Sequence, residues 1–261
     1  EAHLVVDGLR QVLAEKPGEI SQSDADGIKG EALFLRAHFH FEAWRMWGNV
    51  PYYIETDEDF RKSNVGGNAV AEILKDLDAA IALLPTTPRI KGQVGRATRW
   101  TAKAYKGRVQ VYAGDYAAAL TTLREVRASG PYALEPNFHQ VWTGFQAFAN
   151  GKETILAYQA SSNDGAPDGD NANWGERLNF PHSGAPLGMG GCCGFHQPSQ
   201  NLVNFFAVDA AGLPLALTNP NWNALDTNLA APSTVPVDPR LDWTVGRDRV
   251  PYKDWGPHLP G

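Results

Sequence analysis

The chain has 261 residues, a formal net charge of −6, 43% hydrophobic and 20% charged residues. That is ample material for one large domain or two small ones with a real core, in the proportions of an ordinary globular protein. The acidic balance and the lack of a basic stripe exclude nucleic acid as the main partner, and no apolar run approaches the roughly 18 residues of a spanning helix.

Residues 1 to about 16 read as a helix with Leu4, Val5, Leu9, Val12 and Leu13 on one side. Ser21 followed by Asp24 predicts a capping box, opening a helix that runs to Trp47. Leu33, Ala37, Phe41, Trp44 and Trp47 recur at spacings of three and four along it, the mark of a buried stripe. Leu35, Phe39 and Met46 lie off that stripe and are apolar too, so the helix is expected to be packed on several sides. Gly48 can take the left-handed conformation that ends it, and Pro51 prevents continuation. A polar loop spans about 56–67. The following helix carries Val70, Ile73, Leu74, Leu77, Ile81 and Leu84 in helical register, with Asn68 as its cap and Pro85 as its stop.

Thr98 caps a further helix through about Ala113, with Trp100, Ala104, Gly107 and Val111 on one face, Gly107 allowing close approach. The turn Gly114-Asp115 leads into another, whose inner face is Tyr116, Ala119, Leu120, Leu123 and Val126, and Ser129-Gly130-Pro131 ends it. Two helices joined by so short a turn resemble a tetratricopeptide unit, although the full consensus is absent. Such pairs bury their faces only by stacking, so the first half reads as a short right-handed helical array. After about Pro136 the character changes. Residues 153–159 (ETILAYQ) suit a strand or an extended segment, residues 161–194 form a long Gly-, Asn-, Asp- and Pro-rich loop, and helix returns over Pro198–Val208 through Leu202, Phe205 and Phe206.

The blocks GEALFLRAHFHFEAWRMWGNVPYY, EILKDLDAAIALLP, GRATRWTAKAYKGRVQVYAGDYAAAL and SGPYAL stand in order, followed by PSQNLVNFF and DPRLDWTV. Together they resemble the SusD/RagB family of outer-membrane nutrient-binding lipoproteins over about Ser21 to Trp243. The resemblance implies a mainly α fold, a tetratricopeptide-like α-α superhelix with a loop-rich second part. On this reading residues 1–150 are the helical region, cut at its start, and residues 151–261 the loop-rich ligand-binding region, cut at its end. The chain opens at Glu1 without an initiator Met and closes at Gly261 in what reads as mid-loop, so both ends are taken as cut and targeting segments are not judged. The resemblance further implies a non-enzymatic cell-surface receptor. It would capture oligosaccharides, or in some members peptides, and cap a SusC-like TonB-dependent transporter. Its tie to the outer membrane would be an N-terminal lipid anchor outside this stretch.

Glycan capture needs aromatic planes for the apolar faces of sugar rings and amides, carboxylates and guanidinium groups for hydroxyls. The segment DGDNANWGERLNF supplies both, and Asn221-Trp222-Asn223 repeats the mixture in miniature. The expected ligand residues are Trp174 and Trp222, with Asp170, Asn173, Arg177 and Asn223 as hydrogen-bonding partners; the competing reading is that each Trp plugs a loop onto the core. Trp44, Trp47, Trp100 and Trp142 are expected in the core, and Arg36, Arg96, Arg99 and Arg108 in helix packing and ion pairs. Asp238-Pro239-Arg240 reads as a structural turn.

No cofactor is expected. Calcium is the metal that Asp164, Asp168, Asp170 and Asn171 could take, but Ala172 stands where the EF-hand order needs a ligand. His38 and His40 face different sides of their helix, and His196 reads as a loop histidine. Adjacent Cys192 and Cys193 admit either a vicinal disulfide or two thiols and leave the redox compartment open. G-x-S-x-G, H-E-x-x-H and phosphate-cradling glycine loops are missing, which argues against catalysis. A tetratricopeptide-type adaptor binding protein partners and an α/α-barrel glycosidase are the alternative readings.

Overall fold

A computed structural model of the chain describes residues 1–59, 61–142, 146–161, 164–167, 198–223, 236–247 and 250–251. The chain divides into two compact units, residues 1–135 with 150–159, and residues 136–149 with 160–261. Among the described residues the regular structure is helical, and the only β features are isolated bridges.

The first unit contains α1 (Ala2–Glu15), α2 (Gln22–Trp47), α3 (Ala69–Leu83), α4 (Arg99–Tyr112) and α5 (Tyr116–Ser129). Side-chain oxygens set the starts of four of them. Ser21 Oγ accepts from Asp24 N (3.1 Å) and donates to Asp24 Oδ2 (2.7 Å), a variant of the expected box in which the hydroxyl serves both partners. Asn68 Oδ1 accepts from Ala71 N, Thr98 Oγ1 from Thr101 N and Asp115 Oδ1 from Ala118 N. Gly48 ends α2 at φ 74° and ψ −137°, a positive-φ conformation that a Cβ would strain, although its ψ is not that of the left-handed helix.

Each helix lies against the next in chain order, α1 on α2, α2 on α3, α3 on α4 and α4 on α5. Residue pairings make the successive neighbours from α2 onward antiparallel. Gly30 meets Leu84 while Arg36 meets Asp76; Arg99 reaches the Ile81 carbonyl while Lys106 reaches Asp78; Lys103 pairs with Glu125 while Gly107 meets Leu123. Their shared core is Leu33, Phe34, Ala37 and Phe41 from α2, Ile73, Leu77, Ala80 and Leu84 from α3 and its end, and Ala102 and Val109 from α4. Three close contacts depend on glycine: a Cβ would stand 2.5 Å from Arg89 Cδ at Gly27, 2.8 Å from Leu84 Cγ at Gly30 and 2.5 Å from Leu123 Cδ2 at Gly107.

Several sequence expectations are corrected. On α1 the buried residues are Val6 and Leu9, while Leu4, Val5 and Leu13 are exposed. On α2, Leu35, Phe39 and Met46 are 46%, 66% and 70% exposed, and Trp47 is 74% exposed instead of in the core. The helix is therefore packed toward α1, α3 and α4 and open along its remaining side. Trp44 does pack against the core; Trp100 is half-buried, and the Trp142 side chain lies outside what the structure describes. On α4 the core side is Ala102, Tyr105 and Val109, because the face bearing Gly107 turns toward α5. Val111, and on α5 Tyr116 and Leu120, are exposed; Ala119 and Val126 are the buried α5 residues. Residues 153–159 form no strand. They lie beside α4, where Thr101 Oγ1 donates to the Ile155 carbonyl (3.3 Å).

A buried charge network crosses this unit. Arg36 donates from Nε (2.5 Å) and Nη2 (2.6 Å) to both oxygens of Asp76 on α3, and from Nη1 to Glu55 (2.5 Å) in the loop after α2. The Tyr52 hydroxyl donates to Asp76 Oδ2. Burial alone would lower the Arg36 pKa, but the carboxylates on its fork outweigh it and hold it raised. Burial, then the neighbouring Asp76, pushes the Tyr52 phenol up; the Glu55 carboxyl lies below its usual range because backbone and Arg36 donors outweigh its burial. His38 and His40 do face different sides. His38 Nδ1 meets the Tyr105 hydroxyl of α4 (2.7 Å), and His40 turns to the loop. The other arginines serve packing as expected: Arg96 pairs with Glu31 (2.6 Å), and Arg108 lies over the Phe41, Tyr105 and Tyr112 rings.

Candidate functional site

Among the described residues, the second unit contains α6 (Phe138–Trp142), a 3-10 turn at Gln146–Phe148, α7 (Gln200–Asn204) and α8 (Leu241–Thr244). Ser199 Oγ caps α7 by accepting from Leu202 N (3.2 Å). The helix is shorter than the sequence suggests, since bridges pull the chain out of it: Ala207 pairs with Val237, and Val208 with Pro214. Val203, Ala207, Leu241 and Val245 form a small core. Leu202 and Phe205, through which the segment reads as helical, are exposed. Asp238-Pro239-Arg240 is the structural turn expected of it, with Asp238 Oδ1 accepting from Arg240 N (2.9 Å) and the Asp238 carbonyl from Leu241 N (3.0 Å).

Of the six residues expected to bind ligand, Asp170, Asn173, Trp174 and Arg177 lie outside the described residues, as do Asp168, Asn171, Cys192, Cys193 and His196. Trp222 and Asn223 are described, and both sit against the end of α7. Asn219 builds the turn that carries them, its carbonyl accepting from Trp222 N (3.0 Å) and its Oδ1 from Asn221 N (2.9 Å). The Trp222 indole is half-buried and meets Phe205 edge to face, centroids 5.5 Å apart and planes at 83°. Asn223 Oδ1 accepts from Nδ2 of the fully buried Asn204 (2.8 Å), whose Oδ1 accepts in turn from Gln200 (2.9 Å). The amide oxygen of Asn223 thus fastens its loop to α7.

This arrangement places an exposed phenyl plane, Phe205, beside an indole that it meets edge to face. Such a surface suits the apolar face of a pyranose ring. Phe205 was missed from sequence because its spacing with Leu202 and Phe206 mimics a buried helical stripe. Of the calcium candidates only Asp164 is described, its oxygens accepting from Ser161 Oγ and from Ala166 N (3.0 Å) in a local turn. Among the described residues, no group of three or more His, Cys, Asp or Glu side chains is placed to hold a metal, and no helix is long and apolar enough to cross a membrane.

Residues 4–111, the greater part of the helical unit, match the model of a SusD-like family described as starch-binding and associating with the outer membrane. Over that stretch the helical unit is similar to SusD-like proteins. A SusD-like protein of Formosa agariphila is 29% identical over 131 residues, which is 48% of this chain and 25% of that protein. A solved SusD-like protein from Bacteroides fragilis shares the fold with a TM-score of 0.58 at 24% identity, over 82% of this chain and 42% of the other. Surface glycan-binding protein A from Bacteroides uniformis superposes with a TM-score of 0.51 at 23% identity, over 59% and 35% of the two chains. The chain thus spans about a quarter of its curated SusD-like relative and well under half of either solved structure. The stacked helices α1–α5 are accordingly the tetratricopeptide-like superhelix of SusD-like proteins.

Proposed function

We propose that this chain is part of a cell-surface glycan-binding protein, which captures oligosaccharides and delivers them to a SusC-like TonB-dependent transporter in the outer membrane. The observation that carries the reading is the match of residues 4–111 to a family described as starch-binding and outer-membrane-associated. The Bacteroides uniformis neighbour, a surface glycan-binding protein, agrees with it. In the second unit, the loop composition around Trp174 and the Phe205–Trp222 pair supply the aromatic planes that sugar rings stack on. Binding without turnover is part of the proposal: the protein is a receptor and not an enzyme. Its attachment would be a lipid anchor on the parent protein.

The test is calorimetric titration of the intact protein with a panel of oligosaccharides, beside Trp174→Ala and Trp222→Ala. Loss of one sugar–aromatic stack should weaken binding by about 1–3 kcal/mol, by analogy with hot-spot aromatics elsewhere. Reducing ends should not accumulate during the titration. Absence of binding across the panel, or release of reducing sugar, would overturn the receptor reading; unchanged affinity in one variant would remove that Trp from the site.

A further inference from the structure

His40 lies on α2 with both ring nitrogens committed, and the commitments fix its protonation state. Nδ1 lies 2.9 Å from the Arg36 carbonyl, which can only accept, so Nδ1 carries a proton. Nε2 lies 3.3 Å from the backbone N–H of Tyr53, which can only donate, so Nε2 carries none. The ring is neutral in this geometry. It is also stacked on Tyr52, centroids 4.0 Å apart and planes at 29°. Through these two contacts, α2 holds the loop that follows its own C-terminus.

A second proton can enter only at Nε2. It would turn the acceptor of Tyr53 N–H into an opposing donor, and place a cation against a loop already carrying the Arg36 network. The charged groups around the ring come from every packed element. His3 of α1 lies edge-on at 6.3 Å between centroids, Arg36 sits one turn earlier on α2, and Asp76 projects from α3. From the loop come Tyr52, Glu55 and the Asp57–Lys62 ion pair, with Lys62 Nζ bonded to the Tyr52 carbonyl (3.2 Å). Asp76 and Glu55 would favour the added charge, but both already bind the Arg36 fork. Burial, with the Arg36 charge, outweighs the bond to the Arg36 carbonyl and the Asp76 charge and leaves the His40 pKa below its ordinary value, and that of His3 is lowered as well.

We propose that His40 is a proton-operated latch: neutral, it holds the Tyr53 backbone of the loop on α2, and charged, it releases it. Below the ordinary histidine pKa the Tyr53 backbone lets go, while the Tyr52–Asp76 and Arg36–Glu55 bonds keep the rest of the loop on the helices. The latch is independent of what the protein binds.

The experiment is amide hydrogen exchange at Tyr53, corrected for the intrinsic rate at each pH, beside an NMR titration of the His40 ring nitrogens. Between pH 7.5 and 5, Tyr53 protection should fall by about fivefold or more. The fall should share its midpoint with the change in the Nε2 shift, and Tyr53 should exchange far faster than amides in the middle of α3 at every pH, as a local opening requires. His40→Gln places an acceptor that cannot take this proton near the Nε2 position, and its Tyr53 protection should be flat over the same range. Protection at Tyr53 that survives protonation of His40 would overturn the proposal. So would an equal loss in His40→Gln, which would assign the effect to His3 or the carboxylates. Should that variant fail to fold, the coincidence of midpoints in the wild-type protein decides.

Discussion

Asp76 takes three donors at once, two from Arg36 and one from Tyr52, and it is buried with them between α2 and α3. Removing one member of such a group leaves an uncompensated charge out of water, which costs about 3–5 kcal/mol. Asp76→Ala is therefore expected to destabilise the helical unit by that amount in urea unfolding. Tyr52→Phe, which removes one bond to a charged acceptor, should cost about 1.5–3 kcal/mol. An Asp76→Ala variant within about 1 kcal/mol of wild type would mean that the network contributes little. The sequence assigned Arg36 to packing and ion pairing, and that was right in kind. Its partners were not readable, because residues 36, 52, 55 and 76 come from two helices and a loop, and no periodicity links them. The His40–Tyr53 contact was hidden for the same reason. At the candidate ligand surface, Trp222 and Asn223 were legible as a polar–aromatic cluster, whereas the pairing of Asn223 with buried Asn204 needed the fold.

Capping residues and one-sided apolar periodicity were the most readable features at the scale of elements. In α3 the pattern selected Ile73, Leu77 and Leu84, all fully buried, because this helix presents one dominant face to its neighbours. In α4 the same method chose the wrong side. A helix lying between α3 and α5 has two inner faces, and apolar spacing alone does not rank them. Glycine contacts offer a test of how tightly the stack is built. At Gly30 an added Cβ would meet Leu84 Cγ at 2.8 Å, and Leu84 is fully buried. Overpacking of about 1–3 kcal/mol should then exceed the gain of about 1 kcal/mol in helix propensity. At Gly107 the obstacle is Leu123, which is part-exposed and on the outermost of the five helices, so it has room to turn aside. Gly30→Ala should lower the thermal midpoint more than Gly107→Ala; the opposite order would show that α5 is the more rigid neighbour.

The whole helical unit should be acid-sensitive. Burial is the largest cause holding the pKa values of His3, His38 and His40 below the ordinary 6.5. The unfolded chain therefore binds more protons than the folded one just below that value. Stability from these groups is complete above pH 6.5 and falls as the pH drops through the window beneath it. Glu55 and Asp57, held below their usual range, add a second loss at still lower pH. The thermal midpoint should thus be lower at pH 5 than at pH 7.5, and a midpoint unchanged between them would contradict the burial of these rings. At this scale, the likeness to SusD-like proteins was legible from the order of many blocks along the chain, each of which alone is a generic helix. The open side of α2 was not legible, because periodicity reveals an apolar stripe without saying whether anything covers it. That side has a practical consequence. Ile28, Leu35, Phe39 and Met46 line up over about 27 Å of helix, a greasy seam long enough to make purified material stick to itself as concentration rises. Replacing Leu35, Phe39 and Met46 by Gln, Lys and Gln should reduce light scattering in concentrated samples and leave the melting temperature where it was, since none of the three supports the interior; a fall of several degrees would show the seam to be sealed.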